Sequence, residues 1–277
     1  MRNQNNKIAL KPRSAIILPD HLRIRFHEAS GTALPYTGKL NGTAFSGSLT
    51  FGAAPTWGNG GAKAPTSNTT VHALATQASH GNLFSVLTPP ASGGLIFLWS
   101  YYMTAFTNNS SNASNVLTWG NQFSGGDGYR VGTVQGTNNN ITLGYRGAGE
   151  GSTSQASKSD NTLSTQKTVQ MYLKTTDGAL AAYTAVDGAW ASAASATSTG
   201  SFSHGAPANY TAAAIFTSVN TGPVVGNEYM NRGATDDKII SDLLVVRDTD
   251  GSLFAKMATI AAEHAKYRQE LLRSLGV

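Results

Sequence analysis

The chain has 277 residues, no cysteine and only 13% charged residues, which excludes disulfides and thiolate metal sites and is typical of short strands joined by polar turns. Its net charge of +5 is concentrated before residue 31, where six basic residues face two acidic ones. The rest of the chain is close to neutral, which disfavours a nucleic-acid-binding body, and we predict a single β domain with two appendages.

Residues 1–35 are predicted to form a basic N-terminal arm. Such an arm suits contact with an acidic protein surface or with nucleic acid, and the alternative is a solvated tail. We favour docking on other proteins of a larger assembly, so the cations of the arm are candidate assembly residues: Arg2, Lys7, Lys11 and Arg13. No apolar signal segment follows Met1, which predicts a product made in a cytoplasm.

Residues 36–250 are predicted to form one β-sandwich. The strongest strand runs from Leu95 to Phe106 and is apolar on both faces for half its length, so we expect it to lie centrally between two layers. Its apolar run from Leu95 to Trp99 is too short to span a bilayer. Shorter strands are predicted at 40–51, 84–87, 116–119, 129–134, 141–145, 212–219 and 239–246, with a polar surface excursion at 147–165.

Two Asp-Gly pairs frame the clearest local pattern of the chain. Val169, Met171 and Leu173 alternate with more polar residues, as in a half-buried strand, and Asp177-Gly178 then supplies the backbone of a tight hairpin turn. A second strand at 180–186 ends at Asp187-Gly188, and the Ala, Ser and Thr residues of 189–200 predict a loop. Because no helix separates these strands, we predict antiparallel sheets and an all-β fold.

The last segment, 251–277, has the pattern of an amphipathic helix. Apolar residues recur at spacings of three and four from Leu253 to Leu275, after a possible N-cap at Ser252. A helix of that length spans about 34 Å, and we predict that it packs partly on another subunit, giving a homo-oligomer such as a trimer. Docking wholly on its own sheet is the alternative. The candidate assembly residues here are Leu253, Met257, Ile260, Tyr267, Leu271 and Leu275.

In order and spacing, four stretches over about residues 40–250 resemble the concanavalin A-like lectin/glucanase superfamily, in its laminin G-like jelly-roll branch. The stretches are residues 97–102, residues 116–121 followed by 128–131, residues 169–188, and residues 225–229 leading into 238–245. The resemblance implies two antiparallel sheets of six or seven strands packed face to face. The basic arm and the C-terminal helix fall outside the family pattern.

Hydrolase chemistry is disfavoured by the placement of the acidic residues. The glucan-cleaving enzymes of the resembled family carry Glu, Asp and Glu on alternate inward positions of one strand, because a retaining mechanism needs two carboxyls about 5–5.5 Å apart. No pair of glutamates in this sequence is close enough on one predicted strand. The glutamates are Glu28, Glu150, Glu228, Glu263 and Glu270.

Two sets of residues are candidates for ligand binding. We expect no cofactor, but the acidic cluster Asp236, Asp237 and Asp242 supplies oxygen ligands for a calcium ion, the alternative being solvated carboxylates. Sugar binding needs exposed aromatic rings beside amide and hydrogen-bonding side chains. The residues of this kind in predicted loops are Trp57, Asn227, Tyr229, Asn231 and Arg232, and the alternative for Trp57 is a lid over the core.

These features together predict a non-enzymatic bacteriophage virion protein, placed on a tail, baseplate or capsid surface. Its partners would be other virion proteins and, through the lectin-like module, glycans of the host surface; nucleic acid is disfavoured as a partner. The alternatives are a polysaccharide-degrading hydrolase or lyase with an unfamiliar site, and a cellular lectin, which the lack of an export signal disfavours.

Overall fold

In a computed structural model of the protein, the structure describes residues 19–52, 54–58, 61–63, 73–104, 113–120, 127–135, 139–202, 204, 212–217 and 238–274. The described residues form two antiparallel sheets and two α-helices. In chain order the elements are β1 (Asp20–Ile24), β2 (Ala33–Leu40), β3 (Thr43–Thr50), β4 (Thr56–Gly58), β5 (Gly61–Lys63), β6 (Ala73–Thr76), α1 (Gln77–Leu87), β7 (Gly94–Met103), β8 (Ala113–Gly120), β9 (Gly128–Gln135), β10 (Asn139–Arg146), β11 (Ser154–Ser159), β12 (Gln166–Lys174), β13 (Leu180–Val186), β14 (Ala196–Ser198), β15 (Ala212–Thr217), β16 (Lys238–Asp248) and α2 (Met257–Ser274).

The larger sheet has ten strands, eight of them in the order β14-β13-β12-β7-β16-β1-β2-β3, with β5 pairing β16 and β4 pairing β5. The smaller sheet has six strands in the order β11-β10-β9-β8-β15-β6. In the larger sheet β7 lies between β12 and β16, which confirms the central position predicted for this strand. The order of the strands places β1 and β16, from the two ends of the described chain, side by side.

Alternating side chains of both sheets fill the core between them. Phe97 and Trp99 of β7 are fully buried there together with Trp119 of β8 and Tyr129 of β9. The rings of Trp119 and Tyr129 stack with centroids 5.6 Å apart and an interplanar angle of 12°. Leu98, between the two inward residues of β7, is buried on the outer face of the same sheet instead. The predicted two-sheet antiparallel jelly-roll sandwich is therefore confirmed.

The predicted hairpin is also confirmed. β12 and β13 pair antiparallel with Tyr172 opposite Tyr183, and the turn between them contains Gly178 at φ +71°. The second Asp-Gly pair follows β13 with Asp187 at φ +50° and Gly188 at φ +78°. Both pairs supply the left-handed backbone conformation that a tight turn requires and that most residues avoid.

Three predictions of local structure are wrong. The loop predicted at 189–200 contains the short strand β14, which pairs with β13. Residues 84–87 belong to α1 rather than to a strand, because the apolar run is buried as one side of a helix that packs against β1, β2, β15 and β16. The polar excursion at 147–165 contains β11, an edge strand in which Ala156 is the buried residue. An edge strand pairs on one side and faces solvent on the other, so it needs few apolar residues.

β1 lies inside the segment predicted as an arm, yet it pairs with both β2 and β16. Its residues Leu22 and Ile24 are fully buried in the core. The sheet therefore begins by Asp20, whereas the candidate assembly residues of the arm, Arg2, Lys7, Lys11 and Arg13, lie outside the described residues.

The C-terminal segment differs from the predicted helix in its length and in its start. A 3-10 turn at Phe254–Lys256 precedes α2, which has 18 residues, and Ser252 makes no cap. Instead, the N–H of Leu253 donates to Asp248 Oδ1 at 3.3 Å. Leu253, Met257 and Ile260 are buried against the outer face of the ten-stranded sheet, so these three predicted assembly residues dock on their own chain. The side chains of Tyr267 and Leu271, and the whole of Leu275, lie outside the described residues, and the oligomeric state stays a prediction.

Across the described residues, neither helix is long and apolar enough to cross a membrane.

Candidate functional site

Three aromatic rings meet on the outer face of the ten-stranded sheet, at the end of α2 that follows the 3-10 turn. Tyr183 projects from β13, Trp190 follows the turn at Asp187-Gly188, and Phe254 belongs to the 3-10 turn. Trp190 stacks on Tyr183 with centroids 5.8 Å apart and an interplanar angle of 24°. The ring centroid of Phe254 lies 4.9 Å from that of Tyr183 and 6.4 Å from that of Trp190. We call Tyr183, Trp190 and Phe254 the aromatic platform.

The backbone brings these rings together from three separate segments. The left-handed residues Asp187 and Gly188 reverse the chain after β13, and the N–H of Trp190 then donates to the carbonyl of Gly188 at 2.8 Å. This turn places the indole ring of Trp190 over the strand that the chain has just left. The ring therefore occupies a fixed position rather than extending from a free loop.

A buried carboxylate holds the third ring in place. Asp248, at the end of β16, accepts hydrogen bonds from the hydroxyl of Tyr172 at 3.0 Å and from the N–H of Leu253 at 3.3 Å. The ring of Tyr172 contacts Phe254 with centroids 4.9 Å apart. Burial raises the pKa of Asp248 and the pKa of Tyr172, so both groups are more easily kept uncharged than in water. The platform is thus preorganised by contacts beneath it.

The platform is partly open to solvent and has polar neighbours in the chain. Trp190 and Phe254 are half-buried, whereas Tyr183 is 9% exposed. Ser192 and Ser195 follow Trp190 in the same loop and are exposed. Burial raises the pKa of Tyr183, which keeps its hydroxyl neutral at physiological pH. An aromatic surface followed in the chain by exposed hydroxyl side chains suits stacking on an apolar ring face, with hydrogen bonds at its rim.

The outer face of the six-stranded sheet is polar but is used within the protein. Burial lowers the pKa of Arg130 to about 10. The Arg130 guanidinium donates to Gln155 Oε1 at 3.2 Å, and the hydroxyls of Thr142 and Ser157 lie 3.1 Å apart. Arg130 and Thr142 are both buried. These polar side chains of β9, β10 and β11 are therefore hydrogen-bonded to one another.

Trp57, which was predicted to bind sugar from a loop, lies in the short strand β4. Its indole N–H donates to the carbonyl of Gly31 at 2.9 Å, and its ring contacts Phe51 edge-on at 6.0 Å. Trp57 is partly buried and packs against the main core, as the alternative of a lid over the core expects. It shares no contact with the aromatic platform among those described, and its role in sugar binding stays a prediction.

The remaining predicted site residues fall mostly outside the described part of the chain. This is so for Asn227, Tyr229, Asn231 and Arg232, and for Asp236 and Asp237 of the candidate calcium cluster. Asp242 is described and buried, accepting from Ser100 Oγ at 3.2 Å and lying 3.5 Å from Arg268 Nε. Its carboxylate is thus used within the protein, and calcium binding stays a prediction.

Sequence reasoning missed all three residues of the platform. A signal for Trp190 was present, since it is the only large residue in a run of Ala, Ser and Thr and follows a turn directly. A lone large ring in such a segment has few apolar neighbours in sequence with which to form a core. Phe254 carried no comparable signal, because its contacts depend on where α2 docks.

No family model matches the sequence, and no curated protein matches it. Among solved structures, Trypanosoma rangeli sialidase is similar at 10% identity and a TM-score of 0.45, over 90% of this chain and 33% of the sialidase. A receptor-binding domain is similar at 9% identity and a TM-score of 0.43, over 82% of this chain and 51% of that domain. The T. cruzi calreticulin globular domain is similar at 9% identity and a TM-score of 0.34, over 77% of this chain and 80% of that domain.

This chain thus spans about a third of the sialidase. At these identities and TM-scores the similarities assign neither a family nor an activity. The predicted function, a non-enzymatic bacteriophage virion protein, is contradicted by this comparison, in which the similar structures include sialidases. We do not retain that assignment.

Proposed function

We propose that this chain is a carbohydrate-binding β-sandwich module of the concanavalin A-like type, with the aromatic platform as its sugar-contacting surface. The observation that carries the proposal is the half-buried indole of Trp190, held in a stack on Tyr183 and braced by Phe254. The apolar face of a pyranose ring packs on such a surface, and exposed hydroxyls such as those of Ser192 and Ser195 suit hydrogen bonds to the sugar rim.

The rigidity of the platform favours this function over chance exposure of an aromatic side chain. The ring positions are determined by the left-handed turn at Asp187-Gly188 and by the hydrogen bonds of Asp248. A ligand that stacks on a preformed surface does not have to order it, so less of the interaction free energy is lost on binding.

The first test is the substitution Trp190→Ala. Glycans that bind the wild-type chain would be found on a glycan array, and the affinity for the best of them would be measured by calorimetric titration. We expect Trp190→Ala to weaken that affinity by about tenfold or more, because the stacking surface is removed while the sandwich remains.

Trp57→Ala is the matched control, since it removes an equally large, partly buried indole from a different place in the fold. Circular dichroism would verify that both variants keep the sheet signal. Wild-type affinity in Trp190→Ala, or no wild-type binding to any glycan of the array, would refute the proposal. A loss confined to Trp57→Ala would move the site to the residue predicted from the sequence.

That the module lacks catalytic activity stays a prediction. It is tested by incubating the wild-type chain with a panel of polysaccharides and measuring the release of reducing sugar.

A further inference from the structure

Three arginines lie near one another on the outer face of the ten-stranded sheet. The aromatic platform is on the same face, several strands away. Arg23 lies on β1, and Arg25, the first residue after this strand, is near enough for its charge to act on Arg23. Arg268 approaches from α2 and donates to Ser100 Oγ at 2.5 Å. We call Arg23, Arg25 and Arg268 the arginine cluster.

The strand register brings these residues together. Arg23 pairs with Leu244 of β16, and Asp242 lies two positions before Leu244 on that strand, on the same face. Arg268 Nε lies 3.5 Å from Asp242 Oδ2. The cluster therefore lies over the neighbouring strands β1 and β16, and α2 borders it on one side.

The charges of the cluster do not balance. Arg268 is paired with Asp242, and Arg25 Nη1 lies 2.9 Å from Glu28 Oε2 in a partly exposed ion pair. Arg23 is the third cation. Among the described residues whose charges act on Arg23, the carboxylates are those of Asp242 and Glu28, and both are already paired. One positive charge is left over.

The unbalanced cation is also the most buried of the three. Arg23 is 6% exposed, and its guanidinium has no hydrogen-bond acceptor among the described residues; its Nε is fully enclosed. The Nε of Arg25 is likewise enclosed without an acceptor there. Burial, and next the charge of Arg25, lower the pKa of Arg23. Buried arginines ordinarily bind a carboxylate or phosphate with two parallel hydrogen bonds, since a desolvated guanidinium without an acceptor is unfavourable.

We propose that the arginine cluster binds one oxyanion group, a carboxylate, sulfate or phosphate, with Arg23 as the main donor and Arg25 as the second. Arg268 stays with Asp242 and forms the wall of the site. The bound group supplies the acceptor that Arg23 lacks and neutralises the remaining positive charge.

This site is separate from the aromatic platform and does not depend on the proposed function. Tyr183 is on β13 and Arg23 is on β1, with β12, β7 and β16 between them. Four strand spacings correspond to about 19 Å. Loss of one site is therefore expected to leave the other intact.

The experiment measures the melting temperature and the calorimetric affinity of the full chain with sodium sulfate, sodium phosphate and sodium glucuronate. Sodium chloride at equal ionic strength and neutral glucose are the reference solutes. We expect an oxyanion-specific rise of the melting temperature in the wild type. Arg23→Gln is expected to weaken the affinity by about tenfold, and Arg25→Gln by a smaller factor.

Lys158→Gln is the matched control, because it removes one positive charge from an exposed position on β11 of the other sheet. It is expected to keep the wild-type response. If Arg23→Gln fails to fold, Arg25→Gln carries the test, since Arg25 is less buried. An equal response to chloride, or an unchanged affinity in both arginine variants, would overturn the proposal.

The three solutes also distinguish the sources of the oxyanion. Binding of glucuronate in preference to glucose would identify the carboxylate of an acidic sugar. Binding of inorganic sulfate or phosphate without glucuronate would identify a free oxyanion. Either result supports the site, and binding of none of the three contradicts it.

Discussion

Replacing Gly93 with alanine is expected to lower the free energy of unfolding by about 4 kcal/mol or more. Gly93 has φ +75°, and a Cβ at this position would lie 2.0 Å from the carbonyl oxygen of Asp248 and 2.7 Å from the backbone nitrogen of Gly251. Both contacts are with backbone, which has no rotamer to change. The carbonyl of Gly93 also accepts the N–H of Thr175 at 3.0 Å, so a shift of Gly93 would disturb β12 as well as the turn after β16.

Gly178→Ala is the control for the backbone conformation alone. Gly178 has φ +71°, close to that of Gly93, but nothing lies within 4 Å of its added Cβ. The left-handed conformation should cost about 1 kcal/mol in this variant. Urea denaturation of both variants and the wild type would measure the difference. Equal losses in the two variants would show that the contact at Gly93 is not the cause.

The second large effect is expected from His264, a buried residue of α2 that faces β12. Gln170 Nε2 lies 2.9 Å from His264 Nδ1, and since an amide nitrogen only donates, Nδ1 must accept and the ring is neutral. Burial and, to a smaller extent, the charge of Arg268 lower the pKa of His264 to about 3. The unfolded chain binds this proton near pH 6.5 and the folded chain only near pH 3. Stability is therefore complete above pH 6.5 and decreases as the pH falls below it.

The variant that tests this effect is His264→Gln, in which the glutamine oxygen still accepts from Gln170 but the side chain does not titrate. Between pH 7 and pH 5 the wild type is expected to lose about 2 kcal/mol more stability than His264→Gln. Urea denaturation at the two pH values measures both losses, and any carboxylates that titrate contribute equally to each. Parallel losses in the two proteins would contradict the buried neutral state of His264.

The sheets were predictable where a single local pattern determined the structure. The alternation from Val169 to Val186 and the two Asp-Gly pairs predicted β12, β13 and the turn between them correctly. Local pattern failed where the packing of distant elements decided the outcome. The apolar run at 84–87 is compatible with a buried strand and with a helix, and it belongs to α1 because a helix covers the space between β1, β2, β15 and β16.

The candidate site was less predictable than the fold, for the same reason. Trp57 and Trp190 both follow turn residues in the sequence, yet Trp57 packs on Phe51 and Trp190 stacks on Tyr183. Both indoles are partly buried, and what each one packs against depends on distant parts of the chain. The platform needs Phe254, whose position follows from the docking of α2, and the arginine cluster needs Arg268 from the same helix. Neither arrangement has a local sequence signature.

The position of β16 has a consequence for the rate of folding. This strand joins β7 to β1, so that Arg247 pairs with Asp20 near the other end of the described chain. Such pairings bring together residues that are far apart in sequence, and domains dominated by them typically fold in milliseconds to seconds. Until β16 is in place, β7 and β1 each present an unpaired edge to which another chain can add a strand. Refolding yield is therefore expected to fall as protein concentration rises, with association of exposed strand edges as the competing reaction.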